Sequence, residues 1–166
     1  MELLIRDAVP DDAAAIVSVF NPIIESHSFT LFDMPFTVEA ERSYIEGLAA
    51  RDIFHVAVKP DDNTIVGFQS MSPFANYTHA FDHVGVIGTY VDLASRRQGI
   101  SKSLFPATFE SARRKGYEKI FTYIRADNPA ALSAYQNHGF RIVGMAERHA
   151  KLSGRYIDVV IVERFL

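Results

Sequence analysis

A basic turn between an apolar strand and a helix is the segment best suited to bind an anion. Residues 84–91 (VGVIGTYV) are apolar on both faces, and a helical pattern of apolar residues occupies 100–115. Between them, the segment 96–102 (RRQGISK) carries three cations and Gly99. A helix start presents free backbone N–H groups, which bind anionic groups such as phosphates when positive charge is nearby. We therefore expect a cofactor site here, at the end of a sheet.

A short helix predicted over 128–137 carries a second group of candidate residues. Pro129 suits its first turn, and Gly139 follows its end. Asn128 and Tyr135 are seven residues apart, about two helical turns, so they share one face. Two interpretations of Tyr135 stay open: a group that takes part in chemistry, or a half-buried tyrosine hydrogen-bonded at the sheet.

Two histidines precede the apolar strand, in the irregular segment 72–83. His79 and His83 carry the side chain whose unperturbed pKa, about 6.5, suits a general base at neutral pH. A loop histidine is more often a surface residue, and both interpretations stay open.

The hydrophobic periodicity predicts the element order that must position these groups, β-α-α-β-β-β-α-β-α-β-β. This order indicates one α/β domain of the α+β type over residues 1–166, with a mostly antiparallel first half. Pro22 and Pro106 fall inside helical patterns. Pro22 is predicted to kink or break its helix, with a bend expected there, and Pro106 predicts either a bend near Lys102 or a helix that starts later.

Composition limits the classes of function. The net charge of −3 disfavours a nucleic-acid-binding protein, which needs a basic surface. The chain has no cysteine, which excludes disulfides, thiolate metal sites and a cysteine nucleophile, and fits a cytoplasmic protein. No segment resembles a signal peptide or is apolar for long enough to span a membrane. No His, Asp and Glu cluster has metal-ligand spacing, so we expect no metal.

Three segments together resemble the GNAT superfamily of acyl-CoA-dependent N-acetyltransferases. Residues 96–101 (RRQGIS) resemble its Q/R-x-x-G-x-G/A turn, with serine at the last position. Residues 128–140 (NPAALSAYQNHGF) match its N-x-x-A-x-x-x-Y-x-x-x-G-F pattern. Residues 151–158 (KLSGRYID) are similar to the K-x-x-G-x-W/Y-x-D ending of the phosphinothricin acetyltransferase-like branch.

The resemblance implies a fold and a co-substrate. The fold is a mixed central sheet of about seven strands, splayed at strands 4 and 5 and flanked by about four helices. Acetyl-CoA is the implied co-substrate, with its pantetheine arm paired to the backbone of the central strand and a backbone N–H near Val91 polarising the thioester carbonyl. Asn128 is implied as a cofactor contact, and Tyr135 as the acid that protonates the departing thiolate. A homodimer is also implied. The implied cofactor-binding residues are Thr89, Tyr90, Val91, Arg97, Gln98, Gly99, Ile100, Ser101, Lys102 and Asn128.

The acceptor side departs from the phosphinothricin-type pattern. Val86 occupies the position of that branch's glutamate, and Thr78 the position where it often has an arginine. The usual base is therefore missing, and His79, His83 and Asp92 are the candidate replacements. An aromatic loop over 29–36 suggests a closed pocket rather than a groove. Residues predicted to line the acceptor site are Phe32, Phe81 and Val86.

These observations favour an N-acetyltransferase that moves acetyl from acetyl-CoA to the primary amine of a small, amino-acid-like molecule by direct attack. The first alternative is acetylation of a protein N-terminus or lysine, which would need a long open groove. The second is a non-catalytic acyl-CoA-binding module, which the missing glutamate favours and Tyr135 disfavours.

Overall fold

The computed structural model describes residues 2–166, which form one seven-stranded sheet with strand order β1-β2-β3-β4-β5-β7-β6. The α-helices and strands are β1 (Leu4–Asp7), α1 (Ala13–Glu25), α2 (Val38–Glu46), β2 (Ile53–Lys59), β3 (Thr64–Pro73), β4 (Val84–Val91), α3 (Ile100–Arg114), β5 (Lys119–Arg125), α4 (Pro129–Asn137), β6 (Arg141–Leu152) and β7 (Arg155–Phe165). All neighbouring strands in the sheet are antiparallel except β4 and β5.

The parallel pair β4–β5 separates part-way along its length. The register pairs 84–86 with 119–121 and then stops. Beyond that point β4 stays paired to β3 as far as Val91, and β5 stays paired to β7 as far as Arg125. At the point of separation, the Thr122 hydroxyl donates to the Ile87 carbonyl oxygen at 2.6 Å. The predicted sheet, splayed at strands 4 and 5, is confirmed.

Helices cover both faces of the sheet and define what each side of β4 contacts. α1 and α2 pack on the face that carries Phe68, and α3 and α4 pack on the face that carries Ile87. Successive residues of a strand point to opposite faces. Thr89 therefore points toward α3 and α4. Tyr90 points toward α1, where its ring centroid lies 4.5 Å from that of Phe20.

Both helices that contain an internal proline continue through it. α1 runs past Pro22 to Glu25, and α3 begins at Ile100 and runs past Pro106 to Arg114. A break at Pro22 and a later start of α3 are therefore wrong, while the bends expected at Pro22 and near Lys102 stay predictions. Burial of the apolar side of each helix explains the difference, because it outweighs the hydrogen bond that one proline removes. None of the helices within residues 2–166 is long and apolar enough to cross a membrane.

Candidate active site

The gap between β4 and β5 opens into a cavity of about 440 Å³. Its walls come from the separated strands, the first turns of α4, two serines of β3 and the loop between α1 and α2. The lining residues are Phe29, Thr30, Leu31, Phe32, Ser70, Ser72, Val86, Ile87, Gly88, Thr89, Tyr90, Thr122, Tyr123, Ile124, Arg125, Asn128, Ala131 and Tyr135.

Tyr135 is the buried phenol at the α4 side of this cavity. It is 6% exposed, and its ring meets Phe105 and Phe140 edge-on at centroid distances of 5.1 and 5.0 Å. Burial raises the pKa of Tyr135 above its ordinary value, and the hydrogen bond with Thr89 opposes that rise. The side chain is therefore a neutral phenol at physiological pH, which makes it a proton donor rather than a base.

Gln69 and Thr89 control the direction of the hydrogen bond to Tyr135. Gln69 is fully buried, and its Nε2 donates to Thr89 Oγ1 at 2.8 Å. Thr89 Oγ1 lies 2.9 Å from Tyr135 Oη. A hydroxyl that accepts one hydrogen bond is polarised to donate the next. This chain of donors therefore favours Thr89 as donor to Tyr135, which leaves the phenolic hydrogen free to point into the cavity.

Replacing Thr89 with valine should lower kcat about tenfold, because the shape is retained while the donor to Tyr135 is lost. The variant also leaves Gln69 Nε2 buried without an acceptor, which should cost about 1–3 kcal/mol of stability. Steady-state kinetics and urea unfolding measure the two effects. Thr89→Ser keeps the hydroxyl and should retain most of kcat; equal losses in the serine and valine variants would contradict the role assigned to the hydroxyl.

The other end of β4 leads into a turn with free backbone donors. Arg97 and Gly99 both have left-handed backbone conformations, with φ of 62° and 79°, and the N-cap of α3 has no side-chain hydrogen bond. The first N–H groups of α3 have no partner inside the helix. Gly67 of β3 lets this turn approach the sheet, because a Cβ there would lie 2.9 Å from the Tyr90 carbonyl oxygen and 3.0 Å from Ile100 Cγ2. The predicted anion-binding turn thus lies at the carboxyl end of β4.

The backbone of β4 offers further unpaired groups to the gap. In an antiparallel pair, alternate residues direct their N–H and C=O groups to the same neighbour. The Ile87 carbonyl faces β5, since it accepts from Thr122, and Asp92 N–H faces β3, since it donates to Val66. By alternation, the backbone groups of Thr89 and Val91 face the gap, where β5 no longer pairs with them.

The aromatic loop is fixed over the cavity by Arg125 and Asn128. Arg125 Nη1 donates to the carbonyl oxygens of His27 and Thr30, both at 3.0 Å, while its Nε and Nη2 bind the Asp127 carboxylate at 2.8 Å. Asn128 caps α4 by accepting from Ala131 N–H at 3.2 Å. Asn128 also donates to the Phe29 carbonyl oxygen at 3.4 Å.

Comparison with known proteins identifies the family. A model described as the acetyltransferase (GNAT) family matches residues 22–140 of this chain. The chain belongs to the GNAT acetyltransferase family.

Similar GNAT proteins align along almost the whole chain. Phosphinothricin N-acetyltransferase of Streptomyces coelicolor is 24% identical over 166 residues, covering 98% of this chain and 96% of the relative. An L-methionine sulfoximine/L-methionine sulfone acetyltransferase of Pseudomonas paraeruginosa is 23% identical over 167 residues, covering 98% of this chain and 94% of the relative. Among solved structures, a GNAT superfamily phosphinothricin acetyltransferase of Sinorhizobium meliloti in complex with acetyl-CoA superposes with a TM-score of 0.90. It is 20% identical and covers 100% of this chain and 89% of its own.

The structure brings together only some of the residues that the sequence predicts for this GNAT site. Six of them line the cavity: Phe32, Val86, Thr89, Tyr90, Asn128 and Tyr135. Val91, Arg97, Gln98, Gly99, Ile100, Ser101 and Lys102 continue from it along the end of β4 and the start of α3. Of these, Gln98 also lines a second, open depression together with Asp92.

The predicted base candidates do not reach the GNAT cavity. The His79 side chain is fully exposed and pairs with Asp82 at 2.9 Å. His83 is exposed, and its carbonyl oxygen accepts from Glu118 and Lys119 at the start of β5. Phe81, predicted to line the acceptor site, instead packs edge-on against Phe74 outside the cavity.

Sequence reasoning missed two residues whose hydrogen bonds position this candidate site. Gln69 carried a usable signal, since its amide directly follows the apolar run 65–68 and would need a polar partner if buried. Arg125 carried none, because its carbonyl partners lie 95 and 98 residues earlier in the chain. Within residues 2–166 there is no group of three or more His, Asp or Glu side chains that could hold a metal ion.

Proposed function

We propose that this acetyltransferase transfers acetyl from acetyl-CoA to the primary amine of a small molecule, about the size of an amino acid, by direct attack. The observation that supports it is the meeting of a neutral buried phenol with unpaired backbone groups of β4 in one cavity. The printed names of the relatives support a small amine acceptor, and the Sinorhizobium meliloti structure supports acetyl-CoA as donor.

The residues along the gap fit acetyl-CoA. Backbone N–H groups at 99–101, beside Arg97 and Lys102, would hold the pyrophosphate. The backbone of Thr89 and Val91 would pair with the amides of the pantetheine arm, as an added strand does. The N–H of Val91 is the donor proposed for the thioester oxygen, where negative charge develops during attack.

Tyr135 completes the transfer as the proposed acid. The amine nitrogen forms a bond to the thioester carbonyl carbon, and the carbon–sulfur bond then breaks with its electron pair leaving on sulfur. Tyr135 gives its free phenolic proton to that sulfur. The nitrogen then releases one proton, which passes through water to the phenolate and restores the phenol. The sum is neutral amine plus thioester to amide plus thiol.

The ionisable groups that line the cavity include no Asp, Glu, His or Lys side chain. They are Tyr90, Tyr123, Arg125 and Tyr135. Burial raises the pKa of Tyr90 to about 12 and also raises that of Tyr135. The proposed reaction therefore starts from an amine that enters already neutral.

The logarithm of kcat/KM should consequently rise with pH at a slope of about one, from pH about 6 up to the pKa of the amine itself. Initial rates with one amine in overlapping buffers measure this slope. A plateau above pH about 7 would instead indicate a histidine base, whose ordinary pKa is about 6.5. His79→Gln and His83→Gln would then identify which of the two predicted histidines is responsible.

Two measurements separate this function from its alternatives. Calorimetry with acetyl-CoA should show binding, and no binding would remove both the enzyme and the acyl-CoA-binding module. If acetyl-CoA binds, thiol release with a panel of amines and peptides then distinguishes three functions: small-amine acetylation, protein acetylation and acyl-CoA binding without catalysis. Turnover with small amines supports the proposal, turnover with peptides alone supports protein acetylation, and binding without turnover supports the module.

A homodimer and a cytoplasmic location belong to the same proposal. The dimer is supported by β6, an edge strand whose Ile142, Val143 and Met145 side chains are about half exposed. Light scattering gives the molar mass in solution, and a monomer at every concentration tested would remove the dimer. The absence of cysteine supports the cytoplasmic location.

A further inference from the structure

We infer that the acceptor is an amine on an uncharged, apolar substituent, such as an arylalkylamine, rather than an amino acid with a free carboxylate. This inference rests on the proposed function and adds the substrate class. Three observations support it. The cavity lining carries almost no charge, its one cationic side chain is already bound to other groups of the protein, and an aromatic surface lies outside the cavity.

The cavity presents almost no charge to a ligand. Its lining contains no Asp, Glu, His or Lys side chain, and Arg125 is the one charged residue among those that line it. Val86 is apolar and faces the space that Ser70 and Ser72 border from the neighbouring strand. A carboxylate on the substrate would therefore have to find its partner in Arg125 or remain unpaired.

Arg125 is already engaged on three sides. Its side chain is 5% exposed, and its donors are bound to the Asp127 carboxylate and to the carbonyl oxygens of His27 and Thr30. Turning it toward a substrate would leave two carbonyl oxygens and one carboxylate without their partner. Its contacts make Arg125 a part of the loop anchor and not a carboxylate receptor.

The other charged groups near the cavity lie outside its lining. Asp33 is exposed beyond Phe32, and His149 is exposed with its ring centroid 5.7 Å from that of Tyr123. The Arg96 guanidinium lies 3.7 Å above the Phe29 ring, on the side of the anion-binding turn. Asp127 is held by Arg125. None of these groups places a charge on the acceptor side of the cavity.

An aromatic row leads outward from the cavity and fits an apolar substituent. The Tyr123 ring meets Phe121 at a centroid distance of 5.3 Å, Phe121 meets Phe74 at 5.5 Å, and Phe74 meets Phe81 at 5.2 Å. Tyr123, Phe74 and Phe81 are 44%, 38% and 37% exposed. Aromatic rings that contact one another and are partly exposed offer a surface on which an apolar substituent can pack. The row extends the uncharged surface of the cavity outward, and Phe81 lies at its outer end.

Three acceptors that share one phenylethylamine skeleton test the substrate class: 2-phenylethylamine, L-phenylalaninamide and L-phenylalanine. Each is assayed by thiol release with saturating acetyl-CoA, and kcat/KM is expressed per concentration of free base so that differing amine pKa values do not enter. The amide is the matched control, since it keeps the bulk of the carboxylate without its charge. L-Methionine sulfone serves as a charged acceptor of different shape.

We expect turnover of the first two amines. The kcat/KM of L-phenylalanine should be at least about 100-fold lower than that of its amide, because the carboxylate would be desolvated without a partner. Equal use of L-phenylalanine and its amide would overturn the inference. So would turnover of the charged acceptors alone, which leaves the proposed function standing. Acetyl-CoA binding with no turnover of any of the four would overturn the proposed function and the inference together.

Discussion

Replacing Tyr135 with phenylalanine should lower kcat at least about 100-fold while acetyl-CoA affinity stays within about twofold, because general acid catalysis contributes on that scale. The buried phenol lines the cavity, and the hydrogen bond from its neighbour Thr89 leaves the phenolic proton available. The ring contacts with Phe105 and Phe140 survive the substitution. Single-turnover kinetics and calorimetry with acetyl-CoA measure the two quantities.

Tyr117→Phe is the matched control for that experiment. Tyr117 is also buried, at 3% exposure, and its hydroxyl donates to the Arg51 carbonyl oxygen at 3.0 Å, but it does not line the cavity. Its loss should cost about 1 kcal/mol of stability and leave kcat unchanged. If Tyr135→Phe turned over at the wild-type rate, the acid would have to be another group or water.

The sequence identified the local features of the site because their signals are local. Gly99 in a basic turn and the seven-residue spacing of Asn128 and Tyr135 both depend on neighbours in the chain. The separation of β4 from β5 after Val86 has no such signal, and it was expected only because the chain resembles a family with that fold. Strand pairing is a long-range property, which periodicity does not report.

The placement of the acceptor residues was harder to predict for the same reason. Phe32 and Phe81 are both aromatic loop residues, yet one lines the cavity and the other packs on Phe74 outside it. What distinguishes them is Arg125, which draws the first loop onto β5 across 95 residues of sequence. Composition of a loop indicates that it can bind an apolar group, while its anchor decides where it lies.

Replacing Arg125 with methionine should lower the free energy of unfolding by about 3 kcal/mol, since two carbonyl oxygens lose a buried donor at a cost of about 1–3 kcal/mol each. Methionine retains most of the length without the donors, so the carbonyl oxygens of His27 and Thr30 lose their partners. Urea unfolding followed by circular dichroism measures the change. Arg113→Met, an exposed arginine on α3, is the control and should change stability by less than about 0.5 kcal/mol.

The same substitution should affect the binding of the amine much more than the binding of acetyl-CoA. The loop that Arg125 holds forms the acceptor side of the cavity, whereas the backbone donors of the anion-binding turn belong to residues 99–101, outside the cavity lining. The loop meets that turn where the Arg96 guanidinium lies 3.7 Å above the Phe29 ring. We therefore expect the KM of the amine to rise about tenfold or more while acetyl-CoA affinity changes little. The loop has two further anchors: Asn128 donates to the Phe29 carbonyl oxygen, and the Asn21 amide exchanges two hydrogen bonds of 2.9 Å with the Phe36 backbone. An Arg125→Met enzyme with unchanged stability and unchanged amine KM would mean that these two anchors hold the loop over the cavity without Arg125.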